Sequence, residues 1–249
     1  MIHLKSAAEI DTIGRAGAIL AELYRQIPAQ VRPGVTTAQL DRWAEEFIRS
    51  HKGAEPAFKG LYGFPATLCT SVNHEVVHGI PSTRRALKEG DVVSVDCGVK
   101  LEGFYADAAI SIPLAPVEPE VQALLDRTQD ALAAGIDQAR PGRRLGDLGA
   151  AIQAVADQAG YGVVRELVGH GVGRQPHEEP QVPNFGTAGK GLKLVEGMVL
   201  AIEPMFNLGS AGVRTLPDRW TVVTADRKVS AHFEHTVAVT ADGPRILTI

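Results

Sequence analysis

Two cysteines among 249 residues, Cys69 and Cys97, leave no disulfide framework and no thiolate zinc knuckle. The chain has no block of lysine and arginine, and its net charge of -4 carries no footprint for nucleic acid. No run approaches the roughly 18 apolar residues that a membrane span needs. The opening Met-Ile-His-Leu-Lys-Ser-Ala-Ala-Glu sets a charge where a signal peptide would need its apolar stretch. There is no Gly-x-Ser-x-Gly elbow for a serine nucleophile. These absences point to a soluble cytoplasmic protein. The 45% hydrophobic content suffices for one large core or two modest ones.

What is present is a duplication. Leu87-Lys-Glu-Gly-Asp-Val-Val-Ser-Val-Asp96 returns 107 residues later as Leu194-Val-Glu-Gly-Met-Val-Leu-Ala-Ile-Glu203, with four identities. Other features repeat with it. The capping box Ser6-Ala-Ala-Glu9 opens a predicted helix carrying Ile10, Ile13, Leu20, Leu23 and Ile27. After a break at Arg32-Pro33-Gly34, a second helix carries Leu40, Trp43, Phe47 and Ile48. In the second half, a helix through Val121, Leu124, Leu125 and Leu132 breaks at Arg140-Pro141-Gly142, and another carries Leu148, Ile152 and Val155. Two copies of so long a unit imply half-domains related by a pseudo-twofold. The expectation is one α+β domain over 1–249 with an antiparallel central sheet and pseudo-repeats at about 6–112 and 118–240.

Both repeated strands end on an acid, and a desolvated carboxylate is costly unless a cation or hydrogen bonds meet it. Asp107 lies on a returning strand. With Leu101-Glu102 as the loop, Asp96 would face Asp107, and opposed like charges destabilise a hairpin. Either one acid keeps its proton or a cation sits between them. In the second half, Glu203 ends its strand and Glu234 lies in the strand-like run Ser230–Val239. Four carboxylates carry too much charge for a shared proton, and they suit more than one divalent metal.

A single imidazole would complete such a set. Gly169-His170-Gly171 places one in a glycine-rich bend, with His78-Gly79-Ile80 as its first-half counterpart and His177 seven residues beyond. A dinucleotide loop is excluded there, because Pro176 stands where a helix would have to start. His3, His51, His74 and His232 read as surface or structural residues. His235 points to the opposite sheet face from Glu234 and reads as packing. Cys97 reads as a small buried residue.

Taken in order, Asp96, Asp107, Gly169-His170-Gly171, Ile202-Glu203-Pro204 and Glu234-His235-Thr236 resemble the type I methionine aminopeptidases of the short bacterial type. The likeness spans nearly the whole chain. It includes Ser71-Val-Asn-His-Glu-Val-Val-His78-Gly-Ile-Pro81, His177-Glu-Glu-Pro-Gln-Val182 and Trp220-Thr-Val222. The resemblance implies the pita-bread fold and removal of the initiator methionine from new chains whose second residue is small. It implies two divalent ions (Mn²⁺, Co²⁺, Fe²⁺ or Zn²⁺) held by Asp96, Asp107, His170, Glu203 and Glu234, with Glu203 as general base. His177 would donate to the developing tetrahedral species, and His78 would contact the leaving side of the peptide bond. Phe64, Cys69 and Trp220 match the methionine pocket, whereas Leu61 and Pro176 stand where relatives often carry aromatics.

The resemblance also implies a monomer in transient contact with the ribosome. Ile2 is bulky, so Met1 should remain on the mature chain. An X-Pro aminopeptidase or prolidase of the same fold would share the five ligands. Such relatives carry a large N-terminal domain, whereas here the first helix opens at Ser6. A non-catalytic binding protein on this fold would have lost ligands, and all five are present.

Overall fold

The computed structural model describes residues 2–249, so Met1, expected to stay on the chain, lies outside it. Helix α1 spans Ala7–Gln26 and α2 Thr37–Ser50; α3 spans Pro119–Asp137 and α4 Leu145–Ala159. The capping box forms as expected: Ser6 Oγ accepts from Glu9 N, and the Glu9 carboxylate accepts from Ser6 N at 2.8 Å. Thr36 and Gln39 repeat this arrangement at the start of α2. Orphan amides at both helix starts are thereby satisfied.

The main sheet runs in the order Ala54–Pro56, Val92–Leu101, Phe104–Pro113, Glu234–Thr240, Val199–Ile202, Gly169–Gly171, Glu178–Val182. Leu68–Val72 pairs with Val92–Leu101, and Gly243–Ile246 pairs with Glu234–Thr240. Each of these pairings is antiparallel, as expected. Two three-stranded sheets flank it, one of them formed by Ser230–His232, Met205–Asn207 and Gly162–Val163. The run Ser230–Val239 is therefore not one strand. It breaks at Phe233, because its first part pairs with Met205–Asn207 and its second with the main sheet. The second half accordingly has no hairpin matching the first, since its two acid-bearing strands are joined through a long connection that supplies two strands to each small sheet.

The duplication survives as matching backbone bonds. Gly34 N donates to Leu87 O at 2.8 Å, and Gly142 N donates to Leu194 O at 3.0 Å. Leu87 N returns to Val35 O at 2.9 Å, as Leu194 N does to Arg143 O at 2.7 Å. Each Arg-Pro-Gly break needs a left-handed residue, and its glycine supplies φ of 87° in one copy and 90° in the other. One apolar cluster joins α1 and α2 to the first-half strands, and a second joins α3 and α4 to Val199–Ile202 and Glu234–Thr240.

Packing is closest where α1 meets the C-terminal segment. A Cβ on Gly17 would stand 1.9 Å from Leu247 O, whereas one on Gly14 would make ordinary contacts at 3.7 Å and beyond. Alanine is the better helix former by roughly 1 kcal/mol. Gly14→Ala should therefore leave stability unchanged or raise it by up to about 1 kcal/mol in urea denaturation. Gly17→Ala should lower it by about 1–3 kcal/mol through overpacking; equal effects at the two sites would refute this account.

Candidate metal centre

Five candidate donors come from five neighbouring strands. Asp96 lies on Val92–Leu101, Asp107 on Phe104–Pro113 and His170 on Gly169–Gly171; Glu234 opens Glu234–Thr240, and Glu203 directly follows Val199–Ile202. Their convergence follows from register. Asp96 and Glu234 pair with Ala109 from its two sides, and Asp107 stands two residues away on the same face of that middle strand. Diagonal neighbours of this kind lie about 7–8 Å apart, within reach of long side chains. The small Ala109 leaves space between them.

The expected pairing of Asp96 with Asp107 is therefore corrected: Asp107 faces Gly98. The turn is Glu102-Gly103, with φ of 51° and 81°, and Leu101 is inside the ladder opposite Phe104. Positive φ at both central residues matches the twist of the flanking strands, which moves the turn one residue along. The glycines around His170 also serve differently from expectation. They belong to a strand rather than a bend, and a Cβ on Gly169 or Gly171 would stand 2.3 Å from Ala201 O or Glu179 O. The neighbouring strands, not a ligand, demand them. Nor is His78 the repeat equivalent of His170. His170 pairs with Ala201, whose repeat partner Ser94 pairs with Ser71, and His78 reaches the cleft from a loop with φ of 60°.

The donor atoms cluster in overlapping sets. Asp96, Asp107 and Glu234 bring theirs within 4.8 Å of one another, as do His170, Glu203 and Glu234, and Asp107, His170 and His177. His170 Nε2 is 3.5 Å from Glu203 Oε1 and 4.0 Å from Asp107 Oδ2. Its Nδ1 is 2.9 Å from Gly171 O, which can only accept, so Nδ1 carries the proton and Nε2 is bare toward the acids. Among the described residues no lysine or arginine is paired with these carboxylates. Asp96 Oδ1, Asp107 Oδ1 and Glu234 Oε1 are buried without a hydrogen-bond partner. Several hard oxygens and one imidazole nitrogen, all lacking counter-charge, fit a divalent metal.

Burial, reinforced by mutual repulsion, pushes the carboxyls of Asp96, Glu203 and Glu234 well above their usual range. Burial lifts Asp107 to about 7. The imidazoles move the other way. Burial, with a further contribution from His177, lowers His170 and His78 to about 4 each. His177, on the rim, is also lowered by burial.

Beside the acids opens a cavity of about 310 Å³. Phe64, Cys69, Trp220 and Leu61 line it, while Pro176 is buried outside the lining. Phe64 and Trp220 meet edge-on with centroids 5.1 Å apart, and Trp220 meets His78 at 6.3 Å. Two polar neighbours escaped the sequence reading. Tyr62 is 74% exposed at the mouth, in left-handed backbone with φ of 51°, and stacks on His177 at 5.9 Å. Its signal was an aromatic residue between Gly60 and Gly63. The other is His232, expected at the surface or in a structural role, which is buried with Nε2 3.6 Å from Glu203 Oε2. It lies two residues before Glu234 and is held there by pairing with Met205. His235 does face away, and its Nδ1 is 2.8 Å from Thr248 Oγ1. Cys97 is fully buried, as expected.

The pattern of Metallopeptidase family M24 matches residues 11–241. The chain belongs to metallopeptidase family M24. It is 53% identical over its whole length to a methionine aminopeptidase of Clostridium perfringens, covering 99% of that protein. Its fold matches the crystal structure of methionine aminopeptidase from Rickettsia prowazekii with a TM-score of 0.97 at 42% identity, each chain covered completely. The resemblance drawn from the ordered motifs thus holds along the whole chain. A prolidase from Pyrococcus furiosus shares the pita-bread fold with a TM-score of 0.80 at 22% identity, the chain covering 65% of it. That likeness shows the fold alone.

The shifted groups of this M24 site set a pH dependence in metal-free protein. A carboxyl raised in the folded state stabilises below its unfolded value, and that stability is lost as pH rises through the folded one. The lowered histidines work oppositely, losing stability as pH falls below about 6.5. Above that pH the carboxyls act, and toward pH 9 the buried thiols of Cys69 and Cys97, raised by burial, act in the same sense. In EDTA the melting temperature should fall between pH 6.5 and 9, and Mn²⁺ should restore it most at the alkaline end, since ligands bind deprotonated. A melting temperature that rises over this range in EDTA would refute the assignment.

Proposed function

We propose that the protein removes the N-terminal methionine from peptides and newly made chains whose second residue is small. The observation that carries the reading is a group of buried, uncompensated carboxylates opening onto an apolar cavity walled by Phe64, Cys69 and Trp220. A polarizable thioether packs well on such surfaces. Asp96, Asp107, His170, Glu203 and Glu234 would hold two divalent ions of the Mn²⁺, Co²⁺, Fe²⁺ or Zn²⁺ kind. Those ions would supply Lewis-acid polarisation of the scissile carbonyl and an acidified water.

The chain's own groups do the rest. Glu203 takes the proton of the attacking water and hands it to the departing amine. Its side chain is 13% exposed and lines the cleft, so it can reach both. His177, held neutral by its partial burial, donates to the oxygen that gains charge. His78, neutral and set against Trp220, orients the leaving side of the peptide. Asp107, Glu234 and Asp96 form the closed floor of the cleft, where a free α-amino group would be held. The reading places a monomeric enzyme in the cytoplasm, in transient contact with the ribosome, as one catalytic domain. It agrees with two free cysteines, and no helix among the described residues is long and apolar enough to cross a membrane.

With Mn²⁺ or Co²⁺, Met-Ala-Ser should be cleaved after methionine and Ala-Pro peptides left intact. Cleavage of Ala-Pro peptides alone would replace this reading with a prolidase-like one. His170→Ala should fold normally yet lose metal by calorimetry. Its activity should fall by more than the roughly 10–100-fold typical of an outer-shell partner; an active variant would refute the ligand assignment.

A further inference from the structure

Among the described residues His232 is the one imidazole with both ring nitrogens buried and without a hydrogen-bond partner. The side chain is 2% exposed, and both Nδ1 and Nε2 are buried without a hydrogen-bond partner. A buried polar ring of this kind is costly, whereas an apolar side chain of similar size carries no such penalty. Its backbone is clamped. His232 N donates to Ser111 Oγ at 2.9 Å, Ser111 Oγ lies 2.9 Å from His232 O, and the same hydroxyl meets Ser94 Oγ at 2.7 Å. Pairing with Met205 across the small sheet fixes it further. The ring is therefore aimed, and Nε2 stands 3.6 Å from Glu203 Oε2.

Glu203 lies between two imidazoles. His170 Nε2 is 3.5 Å from Oε1 and His232 Nε2 is 3.6 Å from Oε2. The two differ in what they can offer. His170 is committed through Gly171 O to a bare Nε2, while His232 is free to carry its proton there. We propose that His232 is a positioning residue, donating Nε2–H to Glu203 Oε2 and so fixing the rotamer in which Oε1 faces the metal donors. A small rotation of the carboxylate brings the pair to an ordinary charge-assisted length. A neutral donor suits the place better than a cation, because it orients Glu203 without cancelling the charge needed to accept a proton.

The inference rests on the proposed role of Glu203, and its test separates the two. In the metal-loaded full chain, His232→Leu should lower kcat on Met-Ala-Ser by about 10–100-fold and change KM by less than about threefold. Mn²⁺ affinity by calorimetry should weaken by about tenfold, as for loss of an outer-shell partner. His232→Gln, whose amide offers a donor of similar reach, should restore both to within about threefold. A folded His232→Leu with unchanged kcat and Mn²⁺ affinity would overturn the proposal, as would a His232→Gln equally impaired. Should His232→Leu fail to fold, histidine ¹⁵N spectra of Zn²⁺-loaded wild type decide. The Nε2-protonated form, perturbed by Glu203→Gln, is expected, and an Nδ1-protonated ring overturns the proposal. Absence of Met-Ala-Ser cleavage by wild type would instead overturn the proposed function, leaving the spectra and calorimetry to judge His232.

Discussion

Mutual repulsion among four carboxylates in a poorly hydrated hollow governs this molecule. Asp96, Asp107, Glu203 and Glu234 meet where water cannot screen them, and no lysine or arginine is paired with them among the described residues. Burial raises all four carboxyls above their usual range, and repulsion adds to it at Asp96, Glu203 and Glu234. Such a cluster disperses unless the backbone forbids it. Five antiparallel strands in one register forbid it, with an apolar core of helices fastened behind each half. The glycines flanking His170 follow from the same demand, since the strand that presents it must lie tightly between two others.

The duplication supplies the acids but not the pocket. Asp96 and Glu203 stand at the same repeat position with arms of different length, and the longer arm lines the cleft and meets two imidazoles. In the first half a two-residue turn joins the acid-bearing strands. In the second half the connection from Ile202 to Glu234 is long. It contributes Met205 and Trp220 to the cavity lining and His232 to the back of Glu203. One half kept the plain hairpin and supplies Phe64 and Cys69 to the wall; the other adds Met205, Trp220 and the support behind Glu203.

Much of this was legible in the sequence. The capping box at Ser6, the Arg-Pro-Gly breaks and the repeated decamer are local signals, and each stands where the spacing placed it. The five donors were legible as residue types at ordered positions. Register was less so, because moving a turn by one residue leaves the alternation intact while changing which residues face each other. Asp107 consequently faces Gly98, and Ala109 became the unforeseen centre between Asp96 and Glu234. His232 was illegible for a related reason. Alternation sets it on the same side as Glu234, but the pairing with Met205–Asn207 that seats it beside Glu203 joins segments distant in sequence, which no local pattern shows. Tyr62 was hidden because its left-handed backbone lies outside any periodic pattern.

The junction between the apolar wall and the acid floor constrains what the site can accept. Cys69, in the cavity wall, is the cross-strand partner of Asp96, in the floor. Paired residues of this kind have Cβ atoms about 4.5–5.5 Å apart. Under the proposed function, a side chain seated against Cys69 sets its own backbone beside Asp96, so a preceding residue would meet the buried acids. On the proposed reading, the limit to N-terminal residues is built into the register itself. The apolar wall selects the side chain, and the floor beside it meets the α-amino group, so one pair of strands sets both requirements. Extending substrate past that point would desolvate a peptide group against unpaired carboxylates, at a cost no added apolar contact nearby could offset.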